Sequence, residues 1–180
     1  RDTQDIVIHS GAFVGTDYCA NNEKQAILAN VLGTQNVVDM CNKYGSKLVY
    51  FSTTAIFSPE HYGQFKSINE ETKINPQTLY GITKYAGELI VKNLCKTEHI
   101  IVRPVFGFGN YPDDLHSALT KLLYCIFTNQ EHLDILLDKN IGKNYYRVEN
   151  IADSVLKMLK ADNVLGEIFN VGEAAEFRKS

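Results

Sequence analysis

Tyr80 and Lys84 stand four residues apart in the stretch Tyr80-Gly81-Ile82-Thr83-Lys84-Tyr85-Ala86-Gly87-Glu88. On a helix that spacing puts both side chains on one face. An ammonium held near a phenol favours the phenolate and lowers the tyrosine pKa from about 10. A tyrosine tuned in this way takes a proton from a hydroxyl near neutral pH. An ordinary helix with a surface Tyr and Lys carries the same spacing, so the pair acquires meaning only from its surroundings. A second cluster, Ser52-Thr53-Thr54, follows the apolar run Lys47-Leu48-Val49-Tyr50-Phe51. Ligands of open α/β sheets sit beyond the carboxyl ends of strands, where three hydroxyls are well placed for chemistry. A polar turn capping a strand would use the same residues.

The elements that must position these groups alternate in type. Asp5-Ile6-Val7-Ile8-His9 is a short apolar run of the kind that forms a buried parallel strand, and it runs into the small residues Ser10-Gly11-Ala12. Residues 23–44 have a helical pattern, with Ile27, Val31, Val37, Val38 and Met40 on its apolar side and Gly45 as its stop. Asn30 and Gly33 are poor helix formers inside it, which predicts a packing or functional reason for both. Lys47 to Phe51 reads as a strand, residues 58–79 as a loop broken by Pro59, Gly63, Asn69 and Pro76, and the Tyr80 helix continues to about Lys96. Ile100-Ile101-Val102 is a third strand closed by Arg103-Pro104, with Phe106-Gly107-Phe108-Gly109-Asn110 as a flexible loop after it. Beyond it the pattern gives a helix over residues 115–128, strands at 133–137 and 145–148, a helix from Ile151 N-capped by Asn150, and a closing strand within residues 166–172.

Strand, helix, strand, helix, strand predicts α/β layering around a parallel sheet. The 180 residues are 44% hydrophobic, enough for a substantial core. A net charge of -3 and the lack of a Lys/Arg run argue against nucleic acid or an anionic membrane as partner. No apolar run reaches spanning length and no signal peptide is visible. Cys19, Cys41, Cys95 and Cys125 are scattered, without Cys-x-x-Cys or paired His spacing. They read as reduced thiols of a cytoplasmic protein, with no metal site.

In order along the chain, Ile8-His9-Ser10-Gly11-Ala12, Asn30-Val31-Leu32-Gly33-Thr34-Gln35-Asn36, Phe51-Ser52-Thr53-Thr54-Ala55-Ile56-Phe57, the Tyr80 to Glu88 stretch and Arg103-Pro104 resemble the extended short-chain dehydrogenase/reductases. Within them the likeness is to the NAD-dependent epimerase/dehydratase group that acts on nucleotide sugars. Looser matches follow at residues 145–153 and 167–172. The resemblance implies a Rossmann-like doubly wound sheet over residues 1–104. Residues 105–180 would mix a small substrate domain with returning Rossmann elements. It implies that Tyr80 is the catalytic base, that Lys84 holds the ribose hydroxyls of the dinucleotide and tunes Tyr80, and that Thr53 hydrogen-bonds the reacting sugar oxygen. His9, Ser10, Gly11, Ala12, Asn30, Phe51, Ser52 and Pro104 would line the cofactor, which family frequency makes NAD, with NADP also open. Thr54 and Lys143 would meet the substrate, Lys143 where many members carry a phosphate-gripping Arg; lysine supplies that charge without the bidentate fork. A homodimer through the Tyr80 helix and the helix at 23–44 is also implied.

Two departures shape the expectation. The 4,6-dehydratases of the group carry Asp-Glu just after the catalytic Thr, where this chain has Thr54-Ala55. Epimerase or keto-sugar reductase therefore fits better than dehydratase. The group also opens with a strand and a Gly-rich turn that cradles pyrophosphate at a helix N-terminus. This chain begins with Arg1 at what resembles the fourth strand, leaving out roughly sixty residues at ~30 per βαβ unit. The expectation is a part of a longer protein, which without that turn could not bind a dinucleotide in the usual way, and whose Asp5 strand is an exposed edge. Two rival readings remain: a non-catalytic Rossmann-like binding or scaffold domain, and a reductase acting on a non-sugar alcohol or ketone.

Overall fold

The computed structural model describes residues 5–58, 68–109 and 145–172. Four parallel strands form the sheet in the order β1-β2-β3-β6: β1 (Ile6–His9), β2 (Lys47–Phe51), β3 (His99–Pro104) and β6 (Ile168–Val171). The register pairs Ile8 with Val49, Tyr50 with Ile101 and Arg103 with Asn170. Val, Ile and Leu dominate the central strands because both faces of a parallel sheet are covered. One face packs Val38, Cys41, Leu48, Tyr50, Val91 and Ile101 against the helices that precede and follow β2. The other packs Val49, Ile100, Val102 and Val171 against Ile151 and Val155. Each such side chain contributes about 1.5–3 kcal/mol of burial. The α/β fold with a parallel sheet is thus the one expected from sequence.

The first helical layer consists of α1 (Thr16–Asn21), α2 (Glu23–Ile27), a widened π turn (Leu28–Leu32) and α3 (Gly33–Tyr44). The backbone stays helical through Leu28 and Gly33, so residues 23–44 form the one long helix expected, interrupted by an extra residue at Asn30. Gly45 ends it at φ 71°, a left-handed conformation that glycine adopts without a Cβ clash. A short 3-10 turn (Thr54–Ile56) follows β2, and α4 (Leu79–Leu94) carries the Tyr80 motif. Between them Phe57 bridges to Ile74, and the Asn75 amide donates to the Ile56 carbonyl.

Two expectations change beyond β3. Phe106–Phe108 is not a loop but β4, which pairs in parallel with β5 (Tyr145–Arg147) as a second, two-stranded sheet. The following helix, α5 (Val148–Lys160), starts at Val148 after an extended Arg147, so Asn150 lies in its first turn and does not cap it. The helix expected at 115–128 and the strand at 133–137 lie outside the described residues. No helix among those described is long and apolar enough to cross a membrane. Cys19, Cys41 and Cys95 are free thiols; Cys125 is outside the described residues.

Candidate active site

The strands are parallel, so the expected cofactor-lining positions His9 at the end of β1 with Ser10, Gly11 and Ala12 after it, Phe51 and Ser52 at the end of β2, and Pro104 at the end of β3 lie along one edge of the sheet. The amino end of α4 meets them there. Thr78 caps this helix, its hydroxyl accepting the Gly81 amide at 3.1 Å. A Cβ on Gly81 would overlap the carbonyl oxygen of Ala55, so only glycine lets α4 press against the turn that follows Thr53. Thr53 is extended, and its Oγ1 accepts the Ala55 amide at 3.1 Å. The Thr53 hydroxyl pulls the pKa of the Tyr80 phenol down, against a larger upward push from burial and a smaller one from Cys19. The net direction is upward. Sequence reasoning had Lys84 lowering Tyr80; in the protein alone, desolvation of the phenol outweighs everything else.

One turn along α4, Lys84 is almost fully buried. Its Nζ lies 4.3 Å from the centroid of the Tyr50 ring, a cation–π contact, and no hydrogen bond or ion pair holds the ammonium among the described residues. Burial lowers its pKa to about 8, with Glu88 pulling the other way. The Tyr50 hydroxyl donates to the Lys84 carbonyl at 3.1 Å, which fixes the ring beneath the ammonium. A Cβ on Gly87 would overlap that hydroxyl. The His9 ring tilts against Tyr50 at 5.6 Å, its Nε2 3.1 Å from Thr34 Oγ1. Burial, then Lys84, lowers the His9 pKa.

The π turn explains Asn30. Its side chain uses every polar atom on protein: Oδ1 accepts the Phe13 amide at 2.7 Å, and Nδ2 donates to the Phe13 carbonyl and to Thr83 Oγ1, both at 3.0 Å. Thr83 in turn donates to the Tyr80 carbonyl at 3.0 Å. The segment after β1 and the Tyr80 turn of α4 are thus tied through one buried amide. Widened turns recur at functional sites because they re-aim one side chain without ending the helix. Thr34 donates to the Asn30 carbonyl at 2.7 Å and takes up an acceptor of that turn.

Sequence reasoning quoted Glu88 and Arg103 but missed their pairing. Arg103 Nε and Nη2 donate to the two carboxylate oxygens of Glu88 at 2.8 and 2.7 Å, with both residues buried. The available signal was a charge at i+4 from Lys84 on a buried helix face and an arginine ending an apolar strand. Arg103 and Asn170 are register partners across β3 and β6, and Ser52 follows β2; among the described residues Ser52 Oγ, Arg103 Nη1 and both amide atoms of Asn170 are buried without partners. Tyr50, Thr34 and Thr83 were also missed; single polar residues in apolar or helical runs give no local sign of a contact. Of the expected substrate contacts, Thr54 is buried in the 3-10 turn, and Lys143 lies outside the described residues.

The family model described as "RmlD substrate binding domain" matches residues 1–172. A protein named putative UDP-glucose 4-epimerase, from Methanocaldococcus jannaschii, is 28% identical over 96% of this chain and 56% of its own length. The structure of a dTDP-4-dehydrorhamnose reductase from Bacillus anthracis in complex with NADP superposes with a TM-score of 0.79. It is 25% identical, over 94% of this chain and 56% of that one. Pal from Bacillus thuringiensis superposes at 0.85 with 21% identity, over 97% of this chain and 56% of that one, and shows the shared fold. The chain spans about half the length of these relatives.

Proposed function

Because the chain belongs to the RmlD substrate binding domain family, among the extended short-chain dehydrogenase/reductases, we propose that the whole protein is an NAD- or NADP-dependent enzyme of nucleotide sugars. It acts as an epimerase or a keto-sugar reductase through Thr53, Tyr80 and Lys84. Relatives named for both reactions support this reading, and both reactions share one step at a carbinol carbon. The observation that carries it is the Thr53 hydroxyl set where it draws the Tyr80 phenol's pKa down, with an ammonium one turn away that rests on the Tyr50 ring and has no hydrogen bond or ion pair among the described residues.

A nicotinamide dinucleotide suits these residues, because a buried ammonium with unused donors is matched by the hydroxyls of a ribose. Lys84 would hold it from α4; His9, Ser10, Gly11, Ala12, Phe51, Ser52 and Pro104 would line it, with Asn30 shaping the site from behind. When bound, the dinucleotide supplies the hydride acceptor and donor. Tyr80 moves the hydroxyl proton of the sugar, and Thr53 stabilises charge on the same oxygen. Lys84, one turn along the same helix face, is the cation that would favour the phenolate. Thr54 and Lys143 complete the substrate side. Residues 1–104 serve the dinucleotide, and residues 105–180 are shared between substrate and the returning sheet.

A purely structural domain gains nothing from burying Lys84 as an unpaired cation, which weighs against the scaffold reading. The reading includes a homodimer through the helical layers, supported by exposed Ile27, Leu28 and Leu32 on one and Ile82 and Leu89 on the other. The test is Tyr80→Phe in the full-length protein, assayed by NMR for epimerisation of UDP- and dTDP-sugars and by absorbance for NADPH oxidation with their keto forms. Turnover should fall by about 10²–10⁴-fold with the circular dichroism unchanged. Activity that survives the change would remove Tyr80 from the chemistry.

A further inference from the structure

Lys84 and Glu88 are one turn apart on the buried face of α4, the spacing at which an ammonium and a carboxylate pair. In a poorly solvated interior that pair would occupy the ammonium and leave little for a ligand. Yet the Lys84 ammonium sits over Tyr50. Both oxygens of Glu88 are taken by the fork of Arg103, at 2.8 and 2.7 Å. The guanidinium is itself fixed, lying 5.5 Å from the centroid of the Phe57 ring at 2% exposure. A planar fork can hold both oxygens of one carboxylate at once, which a lysine in its place could not.

We propose that Arg103 is a positioning residue that holds Glu88 away from Lys84 and so leaves the ammonium free to bind a ligand. On the reading given above, that ligand is the ribose of the dinucleotide. Among the described residues, the charged and titratable groups around Lys84 are Tyr80 and Glu88 on its own helix, His9 from β1, Tyr50 from β2 and Arg103 from β3.

The test is a direct titration of Lys84 by NMR in the full-length protein, with lysine labelled beside the amine and the signal assigned through Lys84→Arg. In Arg103→Met, a carboxylate is freed next to the ammonium, and the Lys84 pKa should climb from about 8 toward its ordinary 10.5. Arg103→Lys should move it the same way by less, because a point charge holds only one oxygen. Arg103→Met with Glu88→Leu removes the competing carboxylate and should return the titration to the wild-type range or below. NAD affinity should drop by about tenfold or more in Arg103→Met and recover in the double variant.

An unshifted Lys84 titration in Arg103→Lys and Arg103→Met would overturn the proposal and leave the ion pair purely structural. If Arg103→Met does not fold, Arg103→Lys decides by the same criterion, and a double variant whose Lys84 pKa climbs as far as 10.5 without the Glu88 carboxylate would also overturn the proposal. If Lys84 titrates as expected while NAD affinity is unchanged in every variant, Lys84→Met included, the Arg103 device stands and the assignment of Lys84 to the dinucleotide falls.

Discussion

Lys84 is buried as a cation, and that fixes how the site responds to pH. Desolvation lowers its pKa to about 8, and the Glu88 field only partly opposes this. The ammonium that would bind the dinucleotide is therefore lost as pH rises through about 8. The affinity of the free protein for NAD should weaken above that pH, and a Lys84→Arg chain, whose guanidinium stays charged, should not show the same break. Folding stability moves the other way. The unfolded chain keeps its proton up to the ordinary 10.5, so between about 8 and 10.5 the unfolded state binds more protons than the folded one. The contribution of this group to stability thus rises with pH across the window in which binding falls. Calorimetric NAD titrations and urea midpoints at a series of pH values would read both slopes. A parallel decline of the two would assign the effect to general unfolding rather than to Lys84.

The helices meet the sheet through glycines that do different work. On α4, Gly87 admits the Tyr50 hydroxyl and Gly81 the Ala55 carbonyl, and neither place has room for a methyl group. Gly33, at the end of the π turn, has ordinary helical angles, and a Cβ there would meet Leu28 O at 3.6 Å, a normal contact. Gly87→Ala should lower stability by about 2 kcal/mol, or Tm by about 4–8 °C, because the buried Tyr50 has nowhere to move. Gly33→Ala should raise stability by up to about 1 kcal/mol through helix propensity alone. Thermal unfolding of the two variants gives opposite signs if the packing is as described. These glycines show what is legible in the chain. The Tyr80 motif, the strands and the Gly45 stop were readable because each is a local pattern of apolar runs and breakers. A packing or functional reason is expected for Asn30 and Gly33; Asn30 has a packing one, while a Cβ at Gly33 would make only an ordinary contact. α1 was missed because Thr16–Asn21 is polar apart from Tyr18, Cys19 and Ala20, so it lacks an apolar period. β4 was missed because its partner β5 lies far along the chain, and such pairing leaves no local trace.

Among the described residues the two faces of the sheet are covered unequally. Under α2, α3 and α4 the cover reaches β1, where Val7 packs against the core and His9 meets Tyr50 and Thr34. On the other face α5 covers Val49, Ile100, Val102 and Val171 and stops there. The β1 residues on that face, Ile6 and Ile8, are 46% and 51% exposed, although Ile8 is the direct neighbour of the buried Val49. β1 is also an edge among the described strands, paired only with β2. An apolar edge with unpaired backbone groups is a template for another strand. In a polypeptide of these 180 residues, Ile6→Thr with Ile8→Lys should therefore reduce assemblies larger than a dimer, measured by light scattering and sedimentation velocity. The folded state should lose no more than about 1 kcal/mol, since both side chains are already half in water. A dimer formed through the exposed helical residues would persist, so the two association modes separate in one experiment. Large assemblies that survive the substitutions would mean that the sticky surface lies on the helices and not at β1.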